Sequence, residues 1–380
     1  MMLQPELEKQ TEETTRAIIS RLKEIGWTEP TKTTPSATVD GEALVEANSI
    51  LGIEKYLGMV DKKLRIAYFS SIKLTNNSTV TRTYVKFDAS LQEDLVYIAG
   101  KEAGEKERNR ILTAVNAYRE LTGINSKILY ASQNTFKGGN EGKGLGTSAA
   151  AGAALGAALV QASMPKLFKE TYFVESIARL VAGSAPQSIA GGFSVWLSDA
   201  SYLKKPNESY SVRIDKGDFD VKLVVIPIPQ VAKTEDAHEA AVKSPHYLEW
   251  VKKKCFTVPH LMEAIINKDL QAIGEHAEED SQWLNKIITT GGGINNWVED
   301  TESLRQAVIN LRKKQGLLAY YSMDTGPSIA VLTNAHDAEA VKNGLEEALD
   351  RKYAGKAFIA EMGGGPKILD PSKKTELIRT

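Results

Sequence analysis

Apolar residues recur at helical spacing at the start of the chain, where Leu3, Leu7, Ile18, Ile19, Leu22 and Ile25 stand among charges and predict an amphipathic helix over 3–25. A Thr- and Pro-rich stretch, 28–40, reads as a linker, so residues 1–40 are expected to be an extension joined to the main fold. From Ala43 to Phe87 the pattern becomes strand-like and β-branched, with a hairpin signal at Asn76-Asn77 inside SSIKLTNNSTVTRTYVKF (70–87). The periodicity then predicts a helix over 104–122, a strand over 126–136 and helices over 148–162 and 168–181. The small residues of GSAPQSIAGGFSVW (183–196) form a loop that leads into a further strand.

A new strand is predicted at 220–229 (DVKLVVIPIP), beyond a polar loop at 203–210 where the domain boundary is expected. Helices follow around 236–254, 258–276, 278–292 and 301–314. The apolar run LLAYYSM (317–323) predicts a buried strand that ends at Asp324-Thr325-Gly326-Pro327. A strand over 328–333, a helix over 336–350 and a strand over 356–362 before Gly363-Gly364-Gly365 complete the pattern. Strands and helices alternate in both halves, which implies an α/β or α+β enzyme of two domains, 41–207 and 208–380. The length of 380 residues suits two domains.

Composition narrows the classes. A net charge of -1 gives no sign of a nucleic-acid partner. No uncharged apolar run approaches a membrane span, so no membrane partner is expected. The single cysteine, Cys255, excludes an internal disulfide and fits a reducing compartment. It follows a lysine run with no nearby histidine and reads as a packed thiol. The acidic start does not read as a signal peptide, and a cytoplasmic location is expected. His238 and His246 are eight residues apart, which is not metal-ligand spacing, and no metal is expected.

The most distinctive stretch is GKGLGTSAAAGAALGAAL, Gly142 to Leu159. Its first half is too glycine-rich for regular structure and its second half is helix-forming, so a loop runs into a helix with Thr147 or Ser148 at the junction. Free N–H groups at such a start attract an anion, most often phosphate; a capped small-residue helix packed against a sheet reads equally well. A Walker A loop is excluded because Gly142-Lys143 is followed by Gly144, and the dinucleotide fingerprint because its third glycine falls on Thr147.

Three further places carry candidate chemistry. Asp324 ends an apolar strand before a glycine turn, where a carboxylate can project into a cleft as a base or as fixed negative charge, or simply stabilise the turn. Lys55, with Tyr56 beside it, stands among apolar residues in IEKYLGMVD (53–61) and either seeks an anion, such as Asp324 or a phosphate, or snorkels to the surface. Ser184, Gln187 and Ser188 offer hydrogen bonds from the 183–192 loop to an oxyanion or phosphate. Ser184 lacks nucleophile-elbow flanks, which argues against a serine hydrolase.

Taken together, these pieces resemble the GHMP kinase superfamily and, within it, the diphosphomevalonate decarboxylase branch. Gly144-Leu145-Gly146-Thr147-Ser148-Ala149 is similar to the family's phosphate loop, and Lys55-Tyr56-Leu57-Gly58-Met59 to its Lys-Tyr-Trp-Gly-Lys segment. Gly183 to Gly192 resembles its Gly-Ser-Ala-Cys-Arg-Ser-x-x-Gly-Gly loop, and Asp324 to Ser328 its Asp-Ala-Gly-Pro-Asn turn. Lys243 to Trp250 resembles its Ser-Pro-x-Tyr-x-x-Trp helix. The resemblance implies a two-domain α+β fold with an active-site cleft between the domains. It also implies a small phosphorylated mevalonate as substrate and a homodimer, an assembly common among the relatives. Asp324 and Lys55 would then be catalytic, and Tyr56, Ser184, Gln187 and Ser188 would bind substrate. Gly144, Gly146, Thr147 and Ser148 would form the phosphate loop.

The departures from that pattern refine the expectation. The family's carboxylate-gripping arginine is here Gln187, its second motif lysine is Met59, and the segment before Gly144 reads KGGNEGK (137–143). Changes near the nucleotide phosphates with a retained aspartate resemble the archaeal-type enzymes that decarboxylate mevalonate 3,5-bisphosphate without ATP. The expected reaction is therefore loss of the 3-phosphate with decarboxylation to isopentenyl phosphate, with no cofactor and with the glycine loop a vestige of a nucleotide site. The alternatives are an ATP- and Mg-dependent phosphomevalonate or diphosphomevalonate decarboxylase, and a non-catalytic binding protein of the same fold. Lys73, Arg82 and Lys143 are the basic side chains considered for the C5 phosphate.

Overall fold

Helix α1 (Pro5–Glu24) precedes a long strand, β1 (Glu42–Glu54), a small ribbon of β2 (Met59–Asp61) and β3 (Ile66–Ala67), and a second long strand, β4 (Ser71–Asp88). After β5 (Leu95–Ile98) and β6 (Lys101–Glu102) come α2 (Glu105–Thr122), β7 (Lys127–Phe136), α3 (Thr147–Ser163), α4 (Thr171–Val181) and α5 (Ala185–Ala190). The computed structural model describes residues 3–30, 41–139, 145–228, 234–295, 297–348 and 355–377.

β1 and β4 run antiparallel at the centre of an eight-stranded sheet ordered β14-β1-β4-β7-β5-β6, where β14 is Lys367–Leu369. The free edge of β4 is shared: β7 pairs with Thr79–Asp88, and β8 (Phe193–Trp196) with Ser71–Leu74. One face of the sheet is covered by α2, α3 and α4, through Val45, Val85, Val115, Tyr118, Leu155, Leu159 and Ile177. α3 is apolar on nearly every side and correspondingly buried. Its glycines allow close helix approach, since a Cβ at Gly152 or Gly156 would lie 2.9 and 2.8 Å from the carbonyl oxygens of Ala178 and Val174 on α4.

After β9 (Ser211–Arg213) the chain enters a second sheet containing β10 (Lys222–Ile226). Four helices follow, α6 (Thr234–Ala241), α7 (Tyr247–Ile266), α8 (Leu270–Gly292) and α9 (Glu299–Gln315), and then β11 (Tyr320–Ser322) and β12 (Ile329–Thr333). α10 (Ala338–Glu347), β13 (Phe358–Glu361) and β14 (Lys367–Leu369) complete the order. This antiparallel sheet, β11-β12-β10-β13, packs α9 and α10 on one side through Val224, Val331, Leu304, Val308, Val341 and Leu345. On its other side Leu223 and Leu332 join Leu51, Ile53 and Leu74 of the first sheet and Val258 and Ile273 of α7 and α8. The α+β expectation holds. Among the described residues no helix is long and apolar enough to cross a membrane.

Several boundaries differ from the reading of the sequence. The expected hairpin at Asn76-Asn77 is a bulge inside one continuous strand, because β1 offers a partner on both sides of it. The register jumps from Asn48↔Val80 to Ser49↔Asn76, and Asn76 Oδ1 accepts the Ser78 amide at 3.1 Å. The expected boundary at 207/208 is crossed, since β9 pairs with β8 and β14 returns to β1. α7 runs through Pro259, and the helix break falls at Lys268, with φ at 57°, where Asp269 caps the Ala272 amide at 3.0 Å. α1, expected as an extension of the main fold, packs onto it: Ile18 and Leu22 are buried with the inter-sheet core, and Arg21 pairs with Glu263 of α7 at 2.6 Å.

Candidate active site

Glycine at position 52 of β1 opens the space in which Asp324 and Lys55 meet. Asp324 lies two residues beyond β11, and its Oδ2 accepts the Gly52 main-chain N–H at 3.3 Å. A Cβ at Gly52 would stand 2.4 Å from Asp324 Oδ1 and 2.7 Å from Lys55 Cγ. Only a residue without a side chain fits there. Gly52→Ala is accordingly expected to displace the carboxylate and lower kcat by roughly tenfold to a hundredfold, with the melting temperature changed little. Steady-state kinetics beside a thermal melt checks this, and an unchanged kcat contradicts it.

Lys55 is 1% exposed. Its Nζ donates to Ser322 Oγ at 2.9 Å and to the Ala277 carbonyl at 3.5 Å, while Ser322 Oγ donates to the Gly52 carbonyl at 2.6 Å. Burial lowers its pKa to about 8; the charges of Asp280 and Asp324 oppose the shift, and Lys254 and Lys73 add to it. Lys55 therefore faces Asp324 through charge, with Ser322 rather than the carboxylate taking its hydrogen bond.

Beneath this pair lies a buried ionic layer that the sequence reading did not identify. Asp280 of α8 accepts the Lys55 main-chain N–H at 2.7 Å and the Trp250 indole N–H at 3.2 Å. Lys254 of α7 bridges Asp280 and Glu54, and His276 Nε2 stands 2.7 Å from the other Glu54 oxygen. Burial pushes the Glu54 carboxyl up, but Lys254 and His276 outweigh it and hold it below the ordinary carboxylate range. The three lysines at 252–254 were the available signal; helical spacing alone does not tell that the third one points inward.

Tyr56 joins the site from the segment after β1. Its hydroxyl lies near the Ser184 side chain, and a Cβ at Gly183 would come within 2.4 Å of it. Burial raises the phenol above its ordinary pKa and keeps it neutral. The ring meets Trp196 edge-on at 5.0 Å and His238 at 5.4 Å, and Lys73 Nζ stands 5.4 Å from its centroid. His238 thus belongs to the wall of the site, where its Nδ1 accepts the Gly58 amide at 3.1 Å.

The 183–192 segment is corrected on two counts. It folds into α5 rather than a loop, and two of its three expected donors are committed to the main chain. Gln187 Nε2 donates to the carbonyls of Ser71 at 3.2 Å and Ser194 at 3.1 Å, so Gln187 ties β4 to β8 and has no donor left for a ligand. Ser188 Oγ donates to the Asn48 carbonyl at 2.6 Å. Among the described residues, Ser184 alone of the three is not committed to the main chain, and it lies near the Tyr56 hydroxyl.

The glycine loop reaches the same strand. Gly146 adopts φ 69°, and a Cβ there would stand 2.2 Å from the Ile50 carbonyl, two residues before Gly52. α3 starts at Thr147 without a side-chain cap, which leaves Thr147, Ser148 and their amides free of a local cap. Such a start fits an anion. Gly144 and Lys143 lie outside the described residues. Arg82 pairs with Glu46 at 2.9 Å further along β4, away from this cluster. No cluster of metal-ligating side chains occurs among the described residues.

The sequence and fold have known relatives. Residues 47–211 match the model of the diphosphomevalonate decarboxylase-like N-terminal domain. The phosphomevalonate decarboxylase of Haloferax volcanii is 28% identical over 333 residues, covering 87% of this chain and 99% of its own. The mevalonate 3,5-bisphosphate decarboxylase of Thermoplasma volcanium is 30% identical over 301 residues, covering 78% of this chain and 77% of its own. Among solved structures, mevalonate diphosphate decarboxylase from Enterococcus faecalis superposes with a TM-score of 0.77 at 24% identity, over 87% of this chain and 99% of that one. Mevalonate-3-kinase from Thermoplasma acidophilum gives 0.71 at 21%, over 88% and 100%.

Proposed function

The chain belongs to the diphosphomevalonate decarboxylase family, and from that premise we propose that it converts mevalonate 3,5-bisphosphate, without ATP, to isopentenyl phosphate, inorganic phosphate and carbon dioxide. It is a carboxy-lyase whose relatives act on phosphorylated mevalonates. The observation that carries the proposal is the fixed Asp324 carboxylate, held on the Gly52 amide opposite a buried lysine. A nearby anion lowers the energy of a cation that forms only in the transition state.

The reaction breaks the C3–O bond with its electron pair passing to the phosphate, which builds positive charge on the tertiary carbon. The C1–C2 pair then forms the C2–C3 double bond as carbon dioxide leaves. Asp324 faces the developing cation; Lys55, in its ammonium form, faces Asp324 as a fixed positive charge. Tyr56 and Ser184 offer hydroxyls to the substrate. Gln187, where the family's arginine would grip the carboxylate, brings no charge, and its amide donors are already used. A weakly held carboxylate favours departure of carbon dioxide over ground-state binding. The substitutions at Met59 and Gln187 and the recast 137–143 segment support the ATP-free form of the reaction.

A second reading, an ATP-dependent phosphomevalonate decarboxylase, is favoured by the Haloferax volcanii relative, which matches over nearly its whole length. In that case the start of α3, with Thr147 and Ser148, would hold nucleotide phosphates and supply phosphoryl transfer to O3. Incubation with mevalonate 3,5-bisphosphate alone, and with 5-phosphomevalonate or 5-diphosphomevalonate plus Mg-ATP, separates the readings. Alkene and phosphate are expected from the bisphosphate without nucleotide. Product only in the ATP tubes selects the second reading, and product in none points to a binding protein.

A further inference from the structure

Lys73 is a buried lysine with no carboxylate partner among the described residues, and it faces the reacting end of the site. It is 7% exposed, yet the described residues offer it only the face of the Tyr56 ring, 5.4 Å away. A desolvated ammonium without a counter-charge is costly and implies that an anion arrives with the ligand. Its direction follows from the sheet. Lys73 of β4 is paired directly with Gly52 of β1, and residues paired across antiparallel strands project to the same face. The direction in which Gly52 lacks a side chain is the one occupied by Asp324 and Lys55. Lys73 is close enough to Lys55 for the two charges to repel. Lys55 and Lys73 thus lie on the face of the sheet that also carries the partly exposed Asp324, while Asp280 is occupied by Lys254, Trp250 and the Lys55 amide.

We propose that Lys73 binds the 3-phosphate of the substrate and takes up the charge that this group gains as it leaves. The inference rests on the reading that the substrate carries a 3-phosphate. As the C3–O bond breaks, its electron pair adds negative charge to the departing phosphate, and Lys73 meets that charge without a proton having to move. Asp324 and Lys73 then act on the two ends of one bond, the carboxylate on the carbon that turns cationic and the ammonium on the oxygen that turns anionic. Among the ligand's anions, the 3-phosphate is the one attached at the carbon that Asp324 faces. Tyr56, packed under the lysine, fixes the side of the cleft from which the charge acts.

The test compares affinities in an Asp324→Asn background, in which turnover is slowed by on the order of a thousandfold. Mevalonate 3,5-bisphosphate and 5-phosphomevalonate are titrated calorimetrically into Asp324→Asn alone and combined with Lys73→Met or Lys73→Arg. Lys73→Met is expected to weaken the bisphosphate by roughly 10- to 100-fold, the range for a lost charge-assisted hydrogen bond, and to leave 5-phosphomevalonate within about twofold. Lys73→Arg is expected to keep most of the preference and serves alone if the methionine variant does not fold. Equal weakening of both ligands would assign Lys73 to the carboxylate or the 5-phosphate and overturn the proposal, as would no weakening of either, or a preference lost equally in the arginine variant. Nucleotide-free turnover by the unsubstituted protein is scored separately. If it needs Mg-ATP, the substrate reading fails while the affinity ratio still decides where Lys73 binds.

Discussion

Asp324→Asn is expected to lower kcat by on the order of a thousandfold while the protein keeps its fold, the size seen when one preorganised electrostatic group is removed from a reacting centre. The change isolates charge from shape. Among the described residues, the hydrogen bond to Asp324 comes from the Gly52 amide, and an asparagine carbonyl can accept it as well. No core residue moves, so the near-ultraviolet spectrum and the melting temperature stay close to those of the unsubstituted protein. What is lost is the negative charge that stabilises cationic C3 and opposes the low pKa of Lys55. The residual activity should therefore lose the alkaline decline that Lys55 imposes through Asp324 in the unsubstituted protein. Single-turnover alkene formation checks the rate, and a rate near that of the unsubstituted protein refutes the role assigned to Asp324.

How far this site can be read from the sequence depends on how far each partner lies along the chain. Asp324 was legible because an apolar strand ending in a glycine turn is a local pattern, and Lys55 because a lysine inside an apolar run is anomalous on its own. Gly52 was not. Its meaning lies in contact with a carboxylate 272 residues away, which no window around it reveals. The same holds for the ionic layer under Lys55: Glu54, Lys254 and Asp280 each sit in stretches that read as ordinary charged helix or strand. Their burial appears only when α7 and α8 are packed on β1.

Gln187 is the instructive error. Its residue type and loop suggested a donor to substrate, but the structure uses both amide hydrogens to join Ser71 and Ser194 on adjacent strands. A side chain's hydrogen-bonding capacity is visible in sequence; whether backbone groups have already claimed it is a property of the fold. The bulge at Asn76 makes the same point for architecture. An Asn-Asn pair favours a turn wherever the chain is free to reverse, but β1 stays paired on both sides of it and absorbs the extra residues. The start of α3 departs from the reading in its cap, since neither Thr147 nor Ser148 caps the helix, while Gly152 and Gly156 allow close packing against α4.

The second large effect concerns Lys55, through which activity and stability should respond to pH in opposite directions. Its pKa in the folded protein, about 8, lies below the ordinary value of 10.5. Below pH 8 it is an ammonium and supports Asp324, so kcat/KM is expected to fall as pH rises through about 8. Stability has the reverse sign. Between the two pKa values the unfolded chain binds more protons than the folded one, so folding becomes more favourable as pH rises through this window. The burial cost, on the order of 3 kcal/mol at neutral pH, is relieved by the upper end of it. Lys55→Met removes the titrating group. It should lower kcat by roughly a hundredfold or more, because Asp324 loses the positive charge that faces it, and should flatten the rise in melting temperature that the unsubstituted protein shows above pH 8. Lys55→Arg, charged throughout, should retain more activity than the methionine variant and lose the alkaline decline. Rate profiles and thermal melts taken together decide the matter. An unsubstituted protein whose kcat/KM stays level to pH 10 would overturn the lowered pKa assigned to Lys55 and the pH dependence argued from it.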